Sequence, residues 1–182
     1  LWYDYSIPTA DVSFITNPQM KKILFLLAAL PLFCSFNTMP TAAIPSVQLK
    51  DLDGNTVDTG KLSNDGKPIL ICFWATWCSP CKKELNTYAE LYDDWKEETG
   101  VKIVAVTIDD QRTVNSVKPY INSVSWDYDI LLDVNKQFAQ AMGVNNPPHT
   151  FLLDGKGNIV WQHSGYQPGD EDEVYEQLKK LK

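Results

Sequence analysis

From residue 47 onward the apolar positions alternate between two rhythms. Ile69-Leu70-Ile71-Cys72-Phe73-Trp74 is a continuous apolar run bounded by turn-forming residues, the pattern of a central strand covered on both faces. Val101 to Ile108 repeats it. Between the two runs Leu85, Tyr88, Ala89, Tyr92 and Trp95 recur at helical spacing in a segment that ends near Gly100, which predicts a helix with one apolar face turned to a sheet. Ahead of them Val47-Gln48-Leu49 and Thr56-Val57 flank Asp53-Gly54, a strong hairpin signal, and Lys61 to Pro68 reads as loop.

The same reading continues to the C-terminus. Val114, Val117 and Ile121 suggest a helix weakened by Pro119, Ile130-Leu131-Leu132 a short strand, and Asp133 an N-cap for a helix carrying Val134, Phe138, Ala141 and Met142. Thr150-Phe151-Leu152-Leu153 and Asn158-Ile159-Val160-Trp161 flank Gly155-Lys156-Gly157 as an antiparallel hairpin. Val174, Leu178 and Leu181 mark a last amphipathic helix, with Asp170, Glu171, Asp172 and Glu173 suited to its first turn. The order is a leading hairpin followed by βαβαβαββα. That order predicts an α/β domain with a mixed sheet flanked by helices.

The N-terminal segment follows a different logic. Met20-Lys21-Lys22 precedes the apolar run Ile23 to Phe33, and small residues follow at Thr41, Ala42 and Ala43, which is the order of a secretory signal peptide over residues 20–43. The run is short of the roughly 20 residues that span a bilayer, and Pro31 interrupts it. Residues 1–19 contain no Met and no clear periodicity, and are read as an upstream segment with translation starting at Met20. Cys34 raises lipid anchoring, which the bulky Phe33 disfavours. The expected mature domain, 44–182, therefore carries Cys72, Cys78 and Cys81 in an exported compartment, the periplasm or cell envelope. Its size allows a proper core without stabilising disulfides, leaving the cysteines free for chemistry. A formal net charge of −7 with no concentrated basic run argues against nucleic acid as a partner.

The chemistry lies in Trp77-Cys78-Ser79-Pro80-Cys81. A helix starting at about Ser79 leaves Cys78 at its N-terminal edge, where unpaired N–H groups and the helix dipole favour a thiolate. Cys78 is thus the candidate nucleophile, and Cys81, on the same side of the first turn, the group that resolves a mixed disulfide. Pro80 suits a first helical turn and stiffens it. Two other readings of the spacing are half a zinc site and a purely structural disulfide. Zinc would need further ligands from Cys34, Cys72, His149 and His163, none of them paired at a ligand-like spacing, so neither metal nor cofactor is expected. The strand–Cys-x-x-Cys–helix setting beside a βαβ pattern favours redox exchange over a structural bridge.

The stretch Phe73-Trp74-Ala75-Thr76-Trp77-Cys78-Ser79-Pro80-Cys81-Lys82-Lys83-Glu84 resembles the thioredoxin-like proteins of the exported TlpA/ResA branch, over roughly Ile44 to Lys182. The leading hairpin, the inserted helix after Val101–Ile108, and Pro147-Pro148-His149-Thr150-Phe151 agree with it. The resemblance implies a thioredoxin fold and a thiol–disulfide oxidoreductase. It also implies a cis bond before Pro148, against the dithiol, with Pro147 lacking an N–H to offer a substrate. Glu84 matches an acidic residue associated with the active-site cavity in that branch; it would influence thiol protonation, meet a basic substrate patch, or stand as a solvated helix carboxylate. Trp77 would shield the site and offer an apolar contact.

Cys72 and Asn86 depart from the pattern. Cys72 occupies the position where thioredoxins place a buried acid, so proton handling must fall to water, Glu84 or another group, with Cys72 itself an inert buried residue. Asn86 replaces a helix-kinking proline. His149 reads as a strand-edge polar residue. The expected activity is reduction of disulfides in envelope proteins, in the direction of cytochrome c maturation, by a monomer recycled by a membrane-borne thiol reductant. A disulfide oxidase or isomerase with the same cysteines and a non-catalytic binding module are the alternatives. A peroxidase would place a single reactive cysteine in a different loop.

Overall fold

Strand β3, Ile69–Trp74, is buried along its whole length, and the sheet is built outward from it. A computed structural model describes residues 42–182, so the segments 1–19 and 20–41 of the leader reading lie outside the described residues. Strands β1 (Gln48–Asp51) and β2 (Thr56–Asp58) form the leading hairpin around Gly54, whose φ of 85° needs a residue without a Cβ. Strand β4 (Lys102–Thr107) pairs parallel to β3, with β5 (Asp129–Leu132) parallel beyond it. Strands β6 (His149–Leu153) and β7 (Ile159–Ser164) complete a seven-stranded mixed sheet in the order β2-β1-β5-β4-β3-β6-β7. The expected thioredoxin-like α/β architecture, with leading hairpin and inserted helix, is present.

Helix α1 spans Ser79–Thr99 and turns Leu85, Tyr88, Tyr92 and Trp95 to the core, as their spacing predicts. It stops at Gly100, left-handed at φ 70°, whose N–H closes onto the Lys96 carbonyl at 2.9 Å. Asn86 leaves α1 unbroken. The inserted helix is short: a 3₁₀ turn at Val114–Ser116 runs into α2, Val117–Ile121. Helix α3 (Gln137–Ala141) corrects the capping expectation. Val134-Asn135-Lys136 form a turn, Lys136 takes the N-cap position at φ 56°, and Asp133 instead accepts from Ala139 N–H, inside the helix, at 2.8 Å. Helix α4 (Asp170–Lys179) begins with the predicted acidic turn.

Aromatic packing locks β3 to its neighbours. Phe73 meets Phe138 and Phe151 at ring separations of 5.4 and 5.9 Å, and Trp74 meets Trp126 edge-to-face at 5.0 Å. On the helical layer Trp95 of α1 stacks on Tyr175 of α4 at 6.1 Å. Such a core fixes the C-terminal end of β3, and with it the start of α1. Among the described residues no helix is long and apolar enough to cross a membrane. Ala43 lies in an antiparallel bridge with Asn158, so the residues around the expected cleavage point pair with the start of β7.

Candidate active site

The dithiol occupies the junction between β3 and α1. After Trp74 the chain turns through Ala75-Thr76-Trp77, with Cys78 N–H donating to the Ala75 carbonyl at 3.0 Å. Cys78 is the N-cap of α1, and its Sγ accepts the Cys81 backbone N–H at 3.3 Å. Pro80 lies in the first turn, where its missing N–H costs no helical bond. Cys78 and Cys81 are joined by a disulfide with Cα atoms 5.4 Å apart. Cys78 retains 5 % exposure and Cys81 none, so the pair meets solvent only on the Cys78 side.

The rim is open: Trp77 is 55 % exposed, so it is not a packing element of the core, and Ser79 and Pro80 are exposed beside it. Across the sheet end the Pro147–Pro148 bond is cis, with Pro148 buried and Pro147 half-buried. Pairing of β6 with β3 sets Thr150 opposite Cys72 and His149 opposite Phe73. His149 stacks on Phe151 and contacts Gln162 through Nε2 at 3.1 Å; burial pushes its imidazole below the usual range.

Glu84 is the buried acid of this site. It is 1 % exposed, which removes both the solvated-carboxylate reading and contact with a substrate patch. Its Oε1 accepts from Thr150 Oγ1 at 2.9 Å and from the Tyr88 hydroxyl at 3.1 Å, while Oε2 has no partner. Burial pushes its carboxyl up to about 7, against the opposing pull of the Thr150 and Tyr88 hydrogen bonds. Cys72 is a fully buried thiol, as expected of an inert core residue. Burial, then the nearby Glu84, drives its thiol pKa well upward. The buried carboxylate of this site lies on the helix, three residues beyond Cys81.

Sequence reasoning missed the partners. Tyr88 was readable only as a core position of the helix, and Thr150 only as the residue following Pro147-Pro148-His149. Asp109 was also missed. It lies just past β4 and binds Thr76, next to the dithiol, through the Thr76 N–H at 2.8 Å and the hydroxyl at 2.7 Å. Its only signal was a carboxylate closing an apolar run.

The chain is similar to known proteins. The family model described as AhpC/TSA matches residues 40–162. The thiol-disulfide oxidoreductase ResA of Bacillus anthracis is 34% identical over 137 residues, 75% of each chain. ResA of Bacillus subtilis (strain 168) is 34% identical over 116 residues, 64% of this chain and 62% of that one. The solution structure of a thioredoxin-like protein from Porphyromonas gingivalis is 45% identical and superposes with a TM-score of 0.69 over 76% of this chain and 90% of its own. StoA from Bacillus subtilis, at 24% identity and a TM-score of 0.58 over 75% and 99% of the two chains, agrees in fold. With a bonded Cys-x-x-Cys pair at the mouth of such a fold, the chain belongs to the AhpC/TSA family and, within it, to the ResA-type thiol–disulfide oxidoreductases.

Proposed function

We propose that this oxidoreductase works in the cell envelope as a reductase of protein disulfides, with Cys78 as nucleophile and Cys81 as resolving thiol. The observation that carries the reading is the asymmetry of the pair: Cys78 caps a 21-residue helix and keeps a solvent opening, whereas Cys81 is sealed behind it. The Cys78 thiolate attacks one sulfur of a substrate disulfide, and the other sulfur leaves as a thiolate that takes a proton. Cys81 then gives its proton to the Glu84 carboxylate and attacks the Cys78 sulfur, releasing the second substrate thiol. The substrate gains two electrons and the Cys78–Cys81 bond re-forms.

Glu84 suits this role because burial raises its carboxyl to about 7, near the operating pH of a proton acceptor. Trp77 offers the apolar contact for a protein substrate, and the Pro147-Pro148 segment the opposite wall. A membrane-borne thiol reductant restores the dithiol. Envelope proteins, apocytochrome c among them, are the substrates in this reading, and the working unit is a monomer. The signal-like pattern at residues 20–43 supports export.

A Cys81→Ser trap expressed in the cell tests the proposal. Cys78 should hold its partners as stable mixed disulfides that mass spectrometry can name, and Cys78→Ser should hold none. An empty Cys81→Ser trap overturns dithiol exchange. A Cys78–Cys81 potential well above that of reducing thioredoxins overturns the reductive direction in favour of an oxidase or isomerase.

A further inference from the structure

Asp109 is a carboxylate with no exposure at all, and both of its oxygens are spent on the turn that leads into the dithiol. Oδ2 accepts from the Thr76 backbone N–H at 2.8 Å and from the Thr107 hydroxyl at 2.6 Å, and Oδ1 accepts from the Thr76 hydroxyl at 2.7 Å. The Asp109 N–H donates in turn to Thr107 Oγ1 at 3.2 Å. Arg112, close in sequence, is engaged with Asp110 instead. A buried carboxylate held only by neutral donors is an expensive way to fill space. Its value must lie in what it holds.

What it holds is Thr76, inside the turn in which Cys78 N–H returns to the Ala75 carbonyl. We propose that Asp109 is a positioning residue for the dithiol: by gripping Thr76 at backbone and hydroxyl together, it keeps Cys78 at the N-terminus of α1, in contact with the Cys81 N–H. The inference rests on Cys78 being the nucleophile. If the grip loosens, the Cys78 sulfur drifts from the helix start and the thiolate loses stabilisation. The proton affinity of Cys78 then rises, and the reduced form loses ground to the disulfide. The bare charge of Asp109 acts in the opposite sense, since a nearby anion disfavours a thiolate. The two effects are separable by sign.

The experiment measures two quantities on the whole protein: the pH dependence of Cys78 alkylation by iodoacetamide, and the equilibrium of the pair with glutathione. Thr76→Val keeps the charge and removes the hydroxyl grip; Thr76→Ser keeps both; Asp109→Asn keeps the shape and removes the charge and part of the grip. Positioning predicts that proton affinity rises about threefold in Thr76→Val and about tenfold in Asp109→Asn, with Thr76→Ser within about twofold of wild type. The glutathione equilibrium should shift toward the disulfide by the same factors, a tenfold shift being about 30 mV for this two-electron couple. Lower thermal stability with both quantities unchanged would reduce Asp109 to a structural role and overturn the proposal. A fall in proton affinity in Asp109→Asn, with Thr76→Val unchanged, would overturn it in favour of through-space charge. Should Asp109→Asn fail to fold, the Thr76→Val and Thr76→Ser pair decides alone. If Cys78 of the wild type is not the thiol first alkylated, dithiol exchange through Cys78 fails, and this inference with it.

Discussion

The Thr150 hydroxyl donates to Glu84 Oε1 at 2.9 Å, tying the strand that follows Pro148 to the helix that carries the dithiol. The bond crosses from β6 to α1 and joins residues far apart in sequence. It makes the protonation of one carboxylate sensitive to the placement of the Pro147-Pro148 segment.

Glu84 has a carboxyl at about 7 against an ordinary value of 4.5. The native state therefore favours the protonated form. Its contribution to stability is fully present below pH 4.5 and is lost as pH rises through about 7. Between these limits the wild type is expected to lose on the order of 3 kcal/mol relative to Glu84→Gln. Denaturant unfolding of both proteins at about pH 4.5 and about pH 8 checks it, and a difference independent of pH would refute it. In single-turnover reduction of a disulfide, Glu84→Gln should also slow resolution by at least about tenfold.

Thr150→Val removes a hydrogen bond that favours the charged carboxylate. The Glu84 titration should move further upward, and the fold should lose about 1 kcal/mol. A carboxyl-carbon NMR titration of Glu84 reads the shift. A downward movement would mean that Thr150 does not hold the carboxylate.

Trp77 is exposed and adjoins Cys78, so Trp77→Ala should leave stability within about 0.5 kcal/mol of wild type. Its effect should fall on KM for protein disulfides, raised about tenfold by the lost apolar contact. The rate with a small disulfide such as glutathione should stay within about twofold. Equal losses on both substrates would point to a role in setting Cys78 rather than in contact.

Cys72 should be silent in exchange. Burial keeps it a thiol and removes it from solvent, so in the reduced native protein alkylation should reach Cys78 and leave Cys72 untouched until denaturant is added. Cys72→Ala should cost about 1–2 kcal/mol through the space it leaves in the core, with the Cys81→Ser trap unaffected. Modification of Cys72 under native conditions would contradict this, and mass mapping of the alkylated peptides decides it.

The parts legible in the sequence are those that depend on neighbours along the chain. Ile69–Trp74 could be read as a buried strand because every residue is apolar, and α1 could be read to its last turn because Gly100 ends it. The dithiol followed from its spacing. The resemblance marked Glu84, but its burial could not be read, because on the helix it follows Lys82 and Lys83, two lysines of ordinary surface character; only the pairing of β6 with β3 sets Thr150 over it. Asp133 failed for a related reason: its carboxylate fits an N-cap, but the left-handed Lys136 delays the helix and carries the acceptor to Ala139. Asp109 could not be placed from its one signal because its partner Thr76 lies on another strand's exit. Local rules see periodicity and caps, while a carboxylate's burial is settled across the sheet.

Helix α1 is capped by its own reactive atom. A thiolate is a stronger hydrogen-bond acceptor than a disulfide sulfur, so when Cys78 is reduced the Cys81 N–H gains a better partner. The start of the helix is thus held by a bond between sulfurs in the oxidised state and by a charge-assisted hydrogen bond in the reduced one, so a single atom serves the fold on both sides of the exchange.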